Sequence, residues 1–196
     1  LFHYTNVMGA YGIITSRSLR NKKIQSMNDL SEMRTAIDCF VRQIPGLLKG
    51  AEEWERDDFM ESVVTRLNCS ASINICVACF CEQGDLLSQW RAYGDLGSGL
   101  SIGFASSSLK ELSQERQCSL LPCLYNPNEH NQVLFELGQM LLSAYDLVAK
   151  RSNSQNKKEN LEDLISYFVT TFFQLAPIIK NHHKKKKKEW RLVTCP

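Results

Sequence analysis

The hydrophobic positions of this chain repeat with two different periods. Short apolar or alternating runs, which are typical of β-strands, occur at residues 1-5, 22-27, 73-81, 99-104, 118-125 and 189-194. Between them, apolar residues recur every three or four positions, as on amphipathic helices, over about 28-68 and 126-180. The pattern predicts a single α+β domain over residues 1-196, in which helices are inserted between the strands of a sheet.

A few residues with strong positional preferences indicate where helices begin and end. Asn6 suits the N-cap of a helix over 7–19. Pro45 is expected to stop a later helix, because proline removes a backbone hydrogen bond. Pro127 suits the first position of a long helix, and the polar stretch 151–158 is predicted to be a loop.

The composition fits a globular chain with one substantial core, since 43% of the 196 residues are apolar and 22% are charged. No apolar run approaches the roughly 20 residues that span a bilayer. We therefore expect a cytoplasmic protein with no membrane partner.

The net charge of +2 hides a local concentration of positive charge. Five consecutive lysines stand near the end of the chain: Lys184, Lys185, Lys186, Lys187 and Lys188. Such a run is typical of a solvated surface. It is also suited to contact the phosphate groups of a nucleic acid, a dinucleotide or another polyanion.

The eight cysteines are not spaced as a disulfide framework, which favours reduced thiols. Cys76, Cys79 and Cys81 form a C-x-x-C-x-C motif that resembles half of a metal site. On a strand, however, Cys76 faces the opposite side from the other two. Core packing is therefore favoured over metal binding, and no metal is expected.

The segment 82–104 combines a polar turn, a short helix, a glycine-rich loop and a strand. A ligand could approach the backbone at Gly97 and Gly99, where no side chain intervenes. Trp90 and Tyr93 lie three residues apart on one face of the short helix, a spacing that also fits simple core packing.

Five motifs occur in order along the chain. They are His3-Tyr4-Thr5, Asn28-Asp29-x-x-Glu32, Ser88-Gln89-Trp90-Arg91-Ala92-Tyr93-Gly94, Gly99-x-x-Ile102-Gly103-Phe104 and Glu189-Trp190-Arg191-Leu192-Val193. In this order they resemble a widespread bacterial family of uncharacterised domains. That family is similar to ADP-ribosyltransferases of the diphtheria-toxin and poly(ADP-ribose) polymerase kind, which implies a split mixed sheet and a His, a Tyr and a Glu that hold NAD.

The resemblance implies a cofactor-binding role for residues of the first and third motifs. His3 would hydrogen-bond the adenosine ribose of NAD, with Tyr4 and Thr5 completing the motif. Tyr93 would stack on the nicotinamide ring, and Trp90 is the competing stacker.

The resemblance also assigns the chemistry to the last motif. Glu189 would be the catalytic residue and would hydrogen-bond the 2′-hydroxyl of the nicotinamide ribose. Breaking the ribose–nicotinamide bond develops oxocarbenium charge, which a fixed carboxylate stabilises. Arg191 would either pair with a carboxylate or reach the pyrophosphate, while Ser88 has the spacing from Tyr93 that polymerase-like members use.

The expected function is that of an NAD-dependent ADP-ribosyltransferase or NAD glycohydrolase that takes NAD as its substrate, in bacterial conflict or defence. The alternative is a non-catalytic module that binds nucleic acid or another polyanion through the lysine run. A third possibility is a structural domain whose motifs only maintain packing, in which case His3, Tyr93 and Glu189 should lie far apart. Glu189, which follows the lysine run, could also be simply an ion-pair partner.

Overall fold

The computed structural model describes residues 1–24, 30–49, 54–69, 74–94, 97–151, 154–180 and 188–194. Its strands are β1 (Phe2–Thr5), β2 (Lys22–Lys23), β3 (Cys76–Cys81), β4 (Leu100–Gly103), β5 (Ser119–Pro122) and β6 (Glu189–Thr194). Its helices are α1 (Val7–Ser16), α2 (Leu30–Leu47), α3 (Trp54–Cys69), α4 (Leu87–Tyr93), α5 (Ser106–Glu115), α6 (Pro127–Arg151) and α7 (Ser154–Leu175), followed by a 3-10 turn at Ala176–Ile178. The fold is mixed α+β, as the hydrophobic periods predict.

The six strands form one sheet in the order β4-β1-β3-β6-β5, with β2 paired to β3 beside this path. Every pairing between these strands is antiparallel. The prediction of a split mixed sheet therefore needs correction in the described residues, where the one parallel contact is an isolated bridge between Leu124 and Ile179. Hydrophobic periods predict where strands lie but carry no information on their directions, which follow from how the connecting helices return the chain.

The register across the central strand β3 defines two faces of the sheet. Cys81 on β3 lies opposite Phe2 of β1 and opposite Glu189 of β6. Because side chains alternate along a strand, residues in these rows share faces. The front face carries Phe2, Tyr4, Cys79, Cys81, Glu189 and Arg191, and the back face carries His3, Phe80, Trp190 and Leu192.

The two faces pack against different partners. On the front face, Val77 and Val193 join a large core formed with α2, α3, α6 and α7, in which Phe40 and Phe172 are fully buried. On the back face, Phe80 joins a smaller cluster with buried residues of β3, β6 and α5. The large core thus packs against β3 and β6 on the front face and holds them in place.

Two predicted helix boundaries are confirmed. Asn6 is the N-cap of α1, and its Oδ1 accepts a hydrogen bond of 2.7 Å from the backbone N of Gly9. Pro127 is the first residue of α6, where its missing N–H costs nothing because no partner is available in the first turn.

Two other boundary predictions are wrong. Pro45 lies inside α2, which continues to Leu47, because the last turn packs so closely against α6 that a Cβ on Gly138 would overlap Leu47. The predicted polar loop at 151–158 is largely helical, since α6 reaches Arg151 and α7 begins at Ser154. Asp29 of the second sequence motif lies outside the described residues.

Candidate functional site

Glu189 lies at the start of β6 in a buried group of charges. Its side chain is only 10% exposed, and its Oε1 accepts a hydrogen bond of 2.8 Å from Nε of Arg191. The Nζ atom of Lys180 lies 3.7 Å from the same oxygen. Burial by itself would raise the pKa of Glu189, but the two cations outweigh it and lower that pKa, so the carboxylate is held in its ionised form.

Both cations of this group are themselves buried. The side chains of Lys180 and Arg191 are 2% and 1% exposed, and Nη1 of Arg191 donates a 2.8 Å hydrogen bond to the carbonyl oxygen of Pro177. Charges removed from water to this extent are stable only when they are paired and hydrogen-bonded. We call Lys180, Glu189 and Arg191 the charged cluster.

Neutral polar groups surround the charged cluster. The hydroxyl of Tyr125 accepts a 3.1 Å hydrogen bond from the backbone N of Glu189, and burial raises the pKa of that phenol. Burial and the nearby Glu189 carboxylate raise the pKa of Cys79 to about 12, and they also raise the pKa of Cys123. These groups therefore stay protonated near neutral pH and supply no nucleophilic thiolate.

Tyr4 connects the front face of β1 to α4. It is 7% exposed, its hydroxyl donates a 2.7 Å hydrogen bond to the carbonyl oxygen of Gln83, and it accepts one of 2.9 Å from the backbone N of Leu86. Its ring meets Trp90 edge-on at 4.9 Å, and Nε1 of Trp90 donates to Asp85 at 2.7 Å. Tyr4 thus fixes the turn that precedes α4.

The residues of α4 that were predicted to bind NAD lie at the surface. Tyr93 is 45% exposed and Ser88 is also exposed, whereas Trp90 is half-buried against Tyr4. The competing prediction for Trp90, core packing, describes its contacts better than free stacking. Tyr93 is the aromatic ring of α4 with the larger accessible surface.

His3 lies apart from the charged cluster. Its Nδ1 is 2.8 Å from the carbonyl oxygen of Cys79, and its ring centroid is 5.8 Å from that of Phe80. His3 therefore projects from the back face, whereas Glu189 projects from the front face, and β3 separates their strands. The structure brings Tyr4 and Glu189 onto one face and does not bring the side chain of His3 there.

Thr5 and the loop glycines have structural explanations. Thr5 is half-buried against the start of α1, where a Cβ on Gly9 would overlap its Oγ1. Gly99 lies so close to the backbone of Gly94 that a Cβ would be 2.6 Å from its Cα. Gly97 has a φ of 103° and donates to the carbonyl oxygen of Gly94 at 2.9 Å. The glycines therefore close a tight loop after α4.

The lysine run lies mainly outside the described residues, which include only Lys188. Its Nζ is 3.4 Å from Oε2 of Glu82, an exposed pair beside the end of β3. A hydrogen bond from Trp190 and the charge of Lys188 lower the pKa of Glu82. Polyanion binding by Lys184–Lys188 stays a prediction.

Sequence reasoning missed three members of the site: Lys180, Cys123 and Tyr125. Lys180 directly follows the apolar stretch 175–179, and a lysine at the end of such a stretch is the one signal that could have marked it as buried. The row formed by Cys123, Glu189 and Cys81 depends on strands that are distant in sequence, and no local pattern reveals it.

Two surface grooves lie on α3, away from these residues. One of about 480 Å³ is lined by Asp58, Glu61, Ser62, Thr65, Arg66 and Cys69, and the other is lined mainly by apolar residues of α2 and α3. Neither groove includes a predicted site residue. The candidate site is therefore defined by its charged cluster and its aromatic helix, and not by either groove.

These features define an α+β protein whose antiparallel sheet carries an ionised, buried glutamate at one end. The chain belongs to the family described as "Protein of unknown function (DUF2971)", which matches residues 89–192, more than half of the chain. The match confirms the prediction of an uncharacterised domain family. No curated protein and no solved structure matches the chain. Within the described residues, no helix has both the length and the apolar character needed to cross a membrane.

Proposed function

We propose that this protein cleaves the bond between nicotinamide and ribose in NAD, as a glycohydrolase or an ADP-ribosyltransferase. The observation that carries the proposal is the ionised Glu189 carboxylate on the front face, in the same row as Cys81 and Phe2 and two residues from the row of Tyr4. This chemistry needs a fixed carboxylate and an aromatic surface for nicotinamide, and α4 supplies aromatic side chains while being attached through Tyr4 to the same face of the sheet.

The reaction is a heterolysis at C1′ of the nicotinamide ribose. The electron pair of the C1′–N bond leaves with nicotinamide, and C1′ develops the positive charge of an oxocarbenium ion. Water or an acceptor nucleophile then bonds to C1′ and loses a proton. Because Glu189 is already ionised and held by neighbouring cations, it stabilises this charge without having to reorganise.

The contacts of Glu189 indicate which of its two carboxylate oxygens would bind the substrate. Arg191 and Lys180 both contact Oε1, so we assign Oε2 to the 2′-hydroxyl of the ribose. Arg191 is buried and pairs with this carboxylate, so of its two predicted roles we assign it the pairing, as a positioning residue, and not the contact with the pyrophosphate.

The aromatic part of the proposed site is α4. Tyr93 is the proposed stacker on nicotinamide, with Ser88 on the same exposed helix, while Tyr4 and Trp90 hold α4 in place. His3 would act from the back face, by supporting β3 through the carbonyl oxygen of Cys79. An ADP-ribosyltransferase-like arrangement of the NAD site is part of this proposal.

The test is NAD turnover by the purified protein, with free nicotinamide and ADP-ribose separated by chromatography. We expect Glu189→Gln to lower kcat by about 100-fold or more, at a temperature where circular dichroism shows that it is folded. Tyr93→Ala should lower kcat/KM with the fold intact. Tyr167→Ala, at a 73% exposed tyrosine on α7, is the matched control and should leave turnover unchanged.

Labelled NAD separates the two forms of the activity. Free ADP-ribose indicates a glycohydrolase, whereas label on protein or nucleic acid indicates a transferase, and NAD depletion in expressing bacteria would fit a role in conflict or defence. The proposal fails if the protein releases no nicotinamide and labels no acceptor, or if Glu189→Gln and Tyr93→Ala both match the wild-type protein.

A further inference from the structure

Helix α1 leaves a broad apolar surface uncovered. Val7, Met8, Tyr11 and Ile14 are 52%, 74%, 63% and 70% exposed, and their spacing places them on one side of the helix. Gly9 and Ile13 on the opposite side are half-buried, and Ala10 at the edge of the helix face is buried. We call Val7, Met8, Tyr11 and Ile14 the α1 stripe.

The chain around the α1 stripe is basic and contains no acidic residue. The first 28 residues include no Asp or Glu. Arg17, Arg20, Lys22 and Lys23 follow the helix, and all four are exposed. In the part of the chain that the structure describes, none of the four forms an ion pair with a carboxylate.

We propose that α1 and this basic segment bind the surface of an anionic lipid bilayer. Helix α1 carries no charged residue of its own, so the cations come from the segment that follows it. At a bilayer interface, exposed apolar side chains enter the acyl boundary while neighbouring cations meet anionic headgroups. This binding is peripheral and separate from bilayer spanning. It revises the expectation, from hydropathy alone, of no membrane partner.

The charge pattern favours a bilayer over other occupants. A nucleic acid would attract the basic segment but would offer the α1 stripe no apolar phase. A bilayer with anionic lipids supplies both an apolar phase and negative charge. The α1 stripe is complementary to the first, and the basic segment is complementary to the second. The proposal is independent of NAD chemistry, because none of its residues belongs to the proposed NAD site.

The experiment is co-sedimentation of the full chain with vesicles of phosphatidylcholine alone or mixed with phosphatidylserine. We expect binding to the mixed vesicles that weakens as salt is added, because surface charges are screened. Arg17→Ser with Arg20→Ser should weaken it by about 25-fold, roughly five-fold for each cation. Tyr11→Ser with Ile14→Ser should weaken it on the order of 30-fold or more.

Matched controls exist on two other helices. Met140 and Tyr167 are 70% and 73% exposed on α6 and α7, so Met140→Ser with Tyr167→Ser removes similar apolar surface and should leave binding unchanged. All these side chains are exposed, so thermal unfolding should change little. The proposal is overturned if the mixed vesicles do not bind the wild-type protein, or if the control and α1 variants behave alike. It is equally overturned if α1 substitutions convert a dimer to a monomer, since a second copy would then cover the stripe.

Discussion

The charged cluster and α4 both contain residues of sequence motifs, yet the cluster is buried and α4 lies at the surface. Glu189 and Arg191 are buried with Lys180 and are fixed by short ionic contacts. Tyr93 and Ser88 stand on a short surface helix that is attached through Tyr4. A motif can therefore mark a residue that holds charge inside the fold, or a residue that stands at the surface.

The largest expected effect comes from removing the one anion of the charged cluster. Glu189→Gln leaves Arg191 and Lys180 buried without that carboxylate, which should lower the free energy of unfolding by about 3–5 kcal/mol. The measurement is urea unfolding followed by circular dichroism. Glu82→Gln, which alters an exposed ion pair, is the control and should cost no more than about 1 kcal/mol. Equal losses of unfolding free energy in the two variants would show that the buried ion pairs of Glu189 contribute no more to stability than the exposed pair of Glu82.

Acid should weaken the charged cluster in a defined direction. The pKa of Glu189 is lowered in the folded protein, so its contribution to stability is fully present above the unfolded-state pKa of about 4.3. That contribution is lost as the pH falls through the folded pKa. The stability difference between the wild-type protein and Glu189→Gln should therefore be constant near neutral pH and shrink in acid. A difference that grows on acidification would contradict the lowered pKa.

A smaller loss of unfolding free energy is expected when the hydrogen bonds that attach α4 to Tyr4 are removed. Tyr4→Phe keeps the ring against Trp90 but removes the hydroxyl that joins Gln83 and Leu86, which should cost about 1–3 kcal/mol. Amide hydrogen exchange should speed up in α4 more than in α6. Uniform acceleration in both helices would mean that Tyr4 supports the whole fold and not this one attachment.

The smallest effect on stability is expected at Tyr93. Tyr93→Ser removes a ring that is 45% exposed, so the thermal unfolding free energy should change by no more than about 0.5 kcal/mol. Under the proposed function the same substitution strongly lowers NAD turnover. If Tyr93→Ser is as active as the wild-type protein, Tyr93 does not stack on nicotinamide and α4 takes no part in the proposed reaction.

The sequence predicted local elements well where one signal dominated. Asn6 and Pro127 mark helix starts because their side chains act within one turn. Helix α5 was not predicted, since Leu109 and Leu112 are its only apolar residues and its helical form depends on packing against the back face. Pro45 misled the prediction for the same reason, because tertiary contacts extend α2 beyond it.

The candidate site was predictable only in part. The last motif pointed to Glu189, but its ionic partner Lys180 and its neighbour Tyr125 come from other elements. His3 and Tyr4 are adjacent in sequence and lie on opposite faces of the sheet. The motif does not distinguish His3 from Tyr4. Because side chains alternate along a strand, only Tyr4 shares a face with Glu189.

The sequence by itself determined the α+β class and the approximate positions of the strands, because these follow from hydrophobic period and local residue preference. Its ordered motifs resembled an uncharacterised family, and the family match confirmed that coarser statement. Only the tertiary structure decided that the strands of the described residues pair antiparallel, that Glu189 is held by two buried cations and that the α1 stripe faces outward. Those features depend on contacts between residues far apart in the chain. A sequence lists such residues without saying which of them meet.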